Sequence, residues 1–243
     1  SGDLTKIKVG VSPVPHAEIV EALKDEFKAQ GLDVEVVTFT DYVQPNIALA
    51  EGDLDLNYFQ HEPYLKEFCA SRNLDLANIG AIHLEPMGFY AKNYKSVDEF
   101  KDGDEIVIPN DPSNGARALR LLEDAGLIKL SDYNSESITE KDIVENPKNL
   151  KITAVDAATV AKAYEDLAGG VINSNYALGV GLNPKTDPLF VESTEGNPNA
   201  NIVAARTDDK DNEAYKKFVQ VLKSDKAKQF INEKYDGSVI PVE

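Results

Sequence analysis

Apolar and polar residues alternate through Ile7-Lys8-Val9-Gly10-Val11, the period of a half-buried strand. Pro13 and Pro15 interrupt the pattern. Ile19, Val20, Leu23 and Phe27 then recur at the spacing of one helical face, which predicts a helix closed by Gly31. Asp33 to Phe39 is rich in Val and predicts a second strand. Strand, helix and strand in immediate succession make a parallel unit with a right-handed crossover.

The alternation continues with a strand at Leu54 to Tyr58, a helix begun by Pro63, and strands near Ile79 to His83 and Met87 to Ala91. A second series follows. Glu105 to Ile108 and Lys151 to Val155 read as strands, Ala116 to Ala125 and Ala157 to Leu167 as helices, and Gly170-Val171-Ile172 and Ile202 to Ala205 as buried strands. Two helices close the chain, from about Asn212 to Lys223 and from a Ser224 cap to about Tyr235. Two strand-helix series, with the strand near residue 203 returning after the second, predict an α/β protein of two lobes. Residues 1–88 with 201–243 form one lobe and 89–200 the other, so the chain crosses twice, near residues 85–92 and 196–204. Two crossings make a hinge, and the cleft between lobes is where a small ligand would sit.

Composition narrows the function. With 42% hydrophobic and 28% charged residues the chain is a folded globular protein, and a net charge of −17 repels nucleic acid and anionic membrane surfaces. Cys69, the single cysteine, excludes an intramolecular disulfide and a Cys-based metal site. It follows Leu65 by four on an apolar helix face, where a buried, inert thiol is expected. No apolar run approaches the roughly 18 residues of a membrane span. The chain opens Ser1-Gly2-Asp3-Leu4 with no signal peptide, and Ser1-Gly2 reads as the remnant of a removed tag.

Motifs of the common enzyme classes are missing: no His-Glu-x-x-His, no phosphate-binding loop ending in Gly-Lys-Ser/Thr, no Gly-x-Ser-x-Gly. Gly179-Val180-Gly181 reads as a helix ending. His16, His61 and His83 lack metal-type spacing, so neither metal nor cofactor is expected. Pro109-Asn110-Asp111-Pro112-Ser113-Asn114-Gly115-Ala116-Arg117 follows a strand and opens a helix. Backbone N–H groups, the helix dipole and a guanidinium would meet there as a receptor for a carboxylate, the alternative being a capped helix with Arg117 in solvent. Asn57-Tyr58-Phe59-Gln60-His61-Glu62-Pro63-Tyr64 sets rings beyond a strand end, either to grip an apolar or thioether side chain or as core with His61 capping the next helix. Val171-Ile172-Asn173-Ser174-Asn175-Tyr176 is a third strand end, whose Asn173 both donates and accepts.

Five strings together resemble the methionine-binding lipoproteins of the NlpA/MetQ type: Val9 to His16, Asp41 to Asn46, Asn57 to His61, His83 to Gly88 and Pro109 to Gly115. The resemblance runs from about Ile7 to Pro241. It implies a type II periplasmic-binding-protein fold and an extracytoplasmic solute-binding protein, not an enzyme, that hands its ligand to the membrane permease of an ABC importer driven by a cytoplasmic ATPase. The implied ligand is methionine, L-methionine first, with D-methionine, a methionine-containing dipeptide or another amino acid as alternatives. Arg117 would hold its carboxylate, Asn114, Asn173 and Asn201 would bond its amino-acid head, and Tyr58, Phe59, His61 and His83 would line the side-chain pocket, with Tyr42 and Tyr176 beside them. Members of the family carry a lipidated N-terminal cysteine as a membrane anchor, which this chain does not show, and often Gly where Ala116 stands.

Overall fold

The computed structural model describes residues 2–243, so Ser1 of the expected tag remnant lies outside the described residues. In chain order the elements are β1 (Thr5–Val11), α1 (Glu18–Ala22), α2 (Lys24–Ala29), β2 (Leu32–Thr38), α3 (Gln44–Ala50), β3 (Leu56–His61), α4 (Glu62–Arg72) and β4 (Leu76–Leu84). Then come β5 (Gly88–Tyr90), β6 (Glu105–Pro109), α5 (Pro112–Asp124), β7 (Lys129–Leu130), β8 (Ile143–Glu145), β9 (Lys151–Val155), α6 (Ala157–Ala163), β10 (Gly169–Ile172), α7 (Ser174–Gly179) and β11 (Phe190–Val191). The chain ends with β12 (Asn201–Arg206), α8 (Glu213–Leu222), α9 (Asp225–Tyr235) and β13 (Ile240–Pro241).

These elements fall into two compact units, residues 2–85 with 196–243 and residues 86–195. The sequence places the divisions after 88 and 200. They lie earlier because Gly88 already pairs in the second unit's sheet and the segment from Gly196 leads into β12 of the first.

In the first unit the strand order is β13-β4-β12-β3-β1-β2. β1 is parallel to β2 and β3, and β12 runs antiparallel between β3 and β4. The alternation in β1 is the cause of its placement: Lys6 and Lys8 face water while Ile7, Val9 and Val11 are fully buried. Gly10 leaves room for its neighbours, because a Cβ there would lie 2.6 Å from the Leu54 side chain and 2.9 Å from the Phe39 ring and would force them to shift. The helical stripe expected after β1 is present but broken at Leu23 (φ −106°, ψ 11°), and Gly31 closes it at φ +80°. Phe27 of that stripe stacks on Phe218 of α8, with centroids 4.9 Å apart and planes 7° from parallel.

The second unit has strand order β11-β5-β10-β6-β9, parallel at β10/β6/β9 and antiparallel at β5 and β11, with β7 and β8 as a separate hairpin. Its core gathers Phe89, Ile106, Ile108, Leu119, Leu122 and Val171. Ala116 is part of that core, which suits a methyl group at this helix start. The helix expected from Ala157 to Leu167 is α6 followed by a tighter turn at Tyr164–Asp166.

The Phe27–Phe218 stack joins helices that are far apart in sequence. Phe218→Ala should therefore lower stability by about 3–5 kcal/mol through lost burial and a residual cavity. Chemical denaturation monitors this; a loss below about 1 kcal/mol would show that the site collapses without cost.

Candidate functional site

Each unit carries part of the expected residue set: Tyr42, Tyr58, Phe59, His61, His83 and Asn201 in the first, and Asn114, Arg117, Asn173 and Tyr176 in the second.

In the first unit, consecutive residues at the end of β3 enter different clusters. The ring of Phe59 joins Tyr42 and Tyr64, at centroid distances of 5.9 and 6.1 Å, in an aromatic group completed by Phe68. His61 caps α4, its Nδ1 accepting from the Tyr64 N–H at 3.2 Å, and its ring meets Tyr64 edge-on. Tyr58 enters a buried polar network instead. Its hydroxyl donates to His83 Nδ1, so His83 Nε2 carries the proton it gives to Glu85 at 2.7 Å. His16 Nε2 faces Asn201 Oδ1 at 2.7 Å and the same Glu85 oxygen at 3.2 Å, while His16 Nδ1 is buried without a partner.

The spacing of the histidines gives no hint of this. His16 and His83 converge with ring centroids 5.2 Å apart, and with Glu85 they form a donor set of metal-ligating type, although their Nε2 atoms are engaged in hydrogen bonds; His61 belongs elsewhere. Burial alone would raise the Glu85 carboxyl, but the charge and hydrogen bonds of His16 and His83 outweigh it and hold Glu85 well below the usual carboxylate range. Burial lowers His83 against the opposing pull of Glu85, and it raises the Tyr58 hydroxyl. Sequence reading did not single out Glu85. Its signal was available, since His83 and Glu85 are two residues apart and extended backbone sets such a pair on one side. A second buried network, Asn46, Asn57 and Gln60, also went unassigned; Asn46 and Gln60 exchange amide hydrogen bonds at 2.8 and 2.9 Å.

In the second unit the start of α5 differs from the open receptor expected. Asp111 is the N-cap, and its carboxylate accepts from the Asn114 N–H (3.0 Å), Asn114 Nδ2 (3.0 Å) and Ser113 Oγ (3.1 Å). A protein carboxylate thus already occupies the end of the dipole. Burial raises the Asp111 carboxyl in spite of those bonds. Arg117, six residues on, is buried and gripped side-on by Glu192, with Nε–Oε2 2.8 Å and Nη2–Oε1 2.6 Å. Asn173 Nδ2 donates to Asn114 Oδ1 at 3.2 Å, leaving Asn173 Oδ1 buried with no hydrogen-bond donor. Tyr176, on α7, packs against the cluster of Tyr90, Val107 and Ile172. Cys69 is partly buried, and burial pushes its thiol up, as suits a packing role.

Two α/β units, each built on its own mixed sheet and joined by two chain crossings, are the architecture of a solute-binding protein of the two-lobed periplasmic-binding-protein fold. The family described as NlpA lipoprotein matches residues 7–243. The D-methionine-binding lipoprotein MetQ of Salmonella typhi is 44% identical over 241 residues, covering 98% of this chain and 89% of the relative. The methionine-binding lipoprotein MetQ of Bacillus subtilis strain 168 is also 44% identical over 241 residues, with 98% and 88% covered. The structure of a nutrient-binding protein from Burkholderia cenocepacia bound to methionine is 41% identical, with a TM-score of 0.94 over 98% of this chain and 100% of that one. The chain belongs to the NlpA lipoprotein family. It is a MetQ-type solute-binding protein of an ABC importer, an extracytoplasmic lipoprotein that works with a permease and ATPase, and not an enzyme. No helix among the described residues is long and apolar enough to cross a membrane.

The Glu85 network carries a pH signature. A carboxylate whose folded pKa lies below the unfolded value of about 4.3 adds stability that is present above that pH and is lost as the pH falls through the folded value. His83 acts in the same sense: below about pH 6.5 the unfolded chain takes up a proton that the buried imidazole resists. Glu85→Gln should cost about 1–3 kcal/mol at neutral pH, because the amide keeps an acceptor for His83 but replaces the other carboxylate oxygen with a donor. It should also remove the part of the acid destabilisation that sets in below about pH 4.3. Urea denaturation of parent and variant across that range measures both; parallel pH profiles would contradict the assignment.

Proposed function

We propose that this protein binds L-methionine one-to-one and delivers it to the permease. The observation that carries the reading is in the second unit: a buried arginine and two linked asparagine amides, one with an acceptor still lacking a donor, together match the carboxylate and ammonium of an amino acid. Likeness to a methionine-bound relative over 98% of the chain supports it.

In this reading Arg117 contacts the α-carboxylate, Asn114, Asn173 and Asn201 bond the head group, and Asn173 Oδ1 accepts from the ammonium. Tyr58, Phe59, His61 and His83, with Tyr42 beside them, receive the thioether, because polarisable sulfur packs well on ring edges. Tyr176 stands beside the head group. The name of the Salmonella typhi relative makes D-methionine the natural comparison ligand.

Calorimetric titration of ligand-free protein with L-methionine, D-methionine and glycyl-methionine should give saturable binding, with the L-enantiomer tightest. Removing one partner of a buried ionic contact costs about 3–5 kcal/mol, so Arg117→Ala should weaken L-methionine by roughly two to nearly four orders of magnitude. Arg117→Lys should weaken it too, since an ammonium keeps the charge and loses the planar fork. If folded Arg117→Ala binds L-methionine within about fivefold of the parent, the carboxylate is held elsewhere.

A further inference from the structure

We propose that Glu192 is the positioning and charge-balancing partner of Arg117, and that through it the site selects a zwitterion over a simple carboxylate anion. The proposal rests on the reading that Arg117 receives the ligand carboxylate.

Three observations carry it. The contact is two-pronged, at 2.8 Å and 2.6 Å, between an arginine side chain 6% exposed and a glutamate 13% exposed, where solvent screens little. Glu192 is itself locked by a reciprocal clip on Met87: its N–H donates to Met87 O at 2.9 Å, and the Met87 N–H donates to Glu192 Oε1 at 3.2 Å. That clip extends the antiparallel pairing of Val191 with Gly88, so a sheet edge, not a loose loop, sets the carboxylate. Arg117 is meanwhile fixed at its other end by α5, whose start Asp111 caps. The guanidinium plane is thus held from both ends, and the rotamer freedom of a long side chain is surrendered on folding rather than on binding.

The charges then decide selectivity. Arg117 and Glu192 sum to zero, so a ligand bringing only a carboxylate adds an unbalanced negative charge to a poorly screened site, whereas an α-amino acid adds none. The ammonium in turn meets an environment that already includes a glutamate charge.

The test is titration calorimetry with L-methionine and with 4-(methylthio)butanoate, which keeps the thioether and carboxylate and lacks the ammonium. Glu192→Gln should weaken L-methionine by about tenfold or more, while the anion loses less or gains, so the preference for methionine narrows by about tenfold. Glu192→Asp retains the charge but is one methylene too short to span both guanidinium nitrogens and the Met87 N–H. It should weaken methionine and keep the preference. In an Arg117→Ala background, Glu192→Gln should no longer weaken methionine, because its effect in the parent is exerted through Arg117. Equal loss of both ligands in Glu192→Gln, or effects of the two substitutions that simply multiply, would overturn the proposal. If Glu192→Gln does not fold, a changed preference in Glu192→Asp overturns it equally. Arg117→Ala with parental affinity would instead remove the reading beneath it, so the two failures are distinguishable.

Discussion

An ionised carboxylate taken out of water has to be met by donors, and that requirement shapes the interior of both units. In the first, Glu85 is buried where four strands end: His16 follows β1, Tyr58 lies on β3, His83 on β4, and Asn201 opens β12. Each of these side chains bonds Glu85 or a residue that does. The strand order β4-β12-β3-β1 is what lets residues so far apart in sequence converge, and the network in turn pins those strand ends together. In the second unit the same demand is answered twice on α5, by the Asp111 cap and by the Arg117–Glu192 pair.

Buried charge of this kind is a weak source of net stability and a strong source of geometric definition. The units get their stability from apolar packing such as the Phe27–Phe218 stack and the Phe89–Leu122 core. The polar groups are then held in set positions on that frame, which suits a protein whose work is to recognise one small solute and release it.

Much of the fold was legible because local patterns and tertiary placement agree. Lys151–Val155 alternates and is β9; Ser224 reads as a cap and accepts from the Ala227 N–H; Gly31 reads as a helix stop and has positive φ. Elements that leave little periodicity were not legible: α3 and α7 are one or two turns long, and β11 and β13 have two residues each. The candidate site was legible where a strand end or helix start marks it, at Arg117, Asn114 and Asn173. Its partners were not. Glu192 lies 75 residues from Arg117 in an ordinary polar segment, and only the β5/β11 pairing brings it there. Nor was it legible that Tyr58 and Phe59 enter different clusters, Tyr58 toward His83 and Phe59 toward Tyr64, as consecutive strand residues point to opposite faces.

Recognition of an amino acid by this protein turns on where the ligand's carboxylate goes. A crystal structure of the protein grown with L-methionine tests this most directly. The result expected is one methionine whose α-carboxylate lies within hydrogen-bond distance of the Arg117 guanidinium, with Glu192 still on the opposite edge and Asn173 Oδ1 accepting from the ammonium. A methionine whose carboxylate is bound by other groups, with the Arg117–Glu192 pair untouched by ligand, would contradict it.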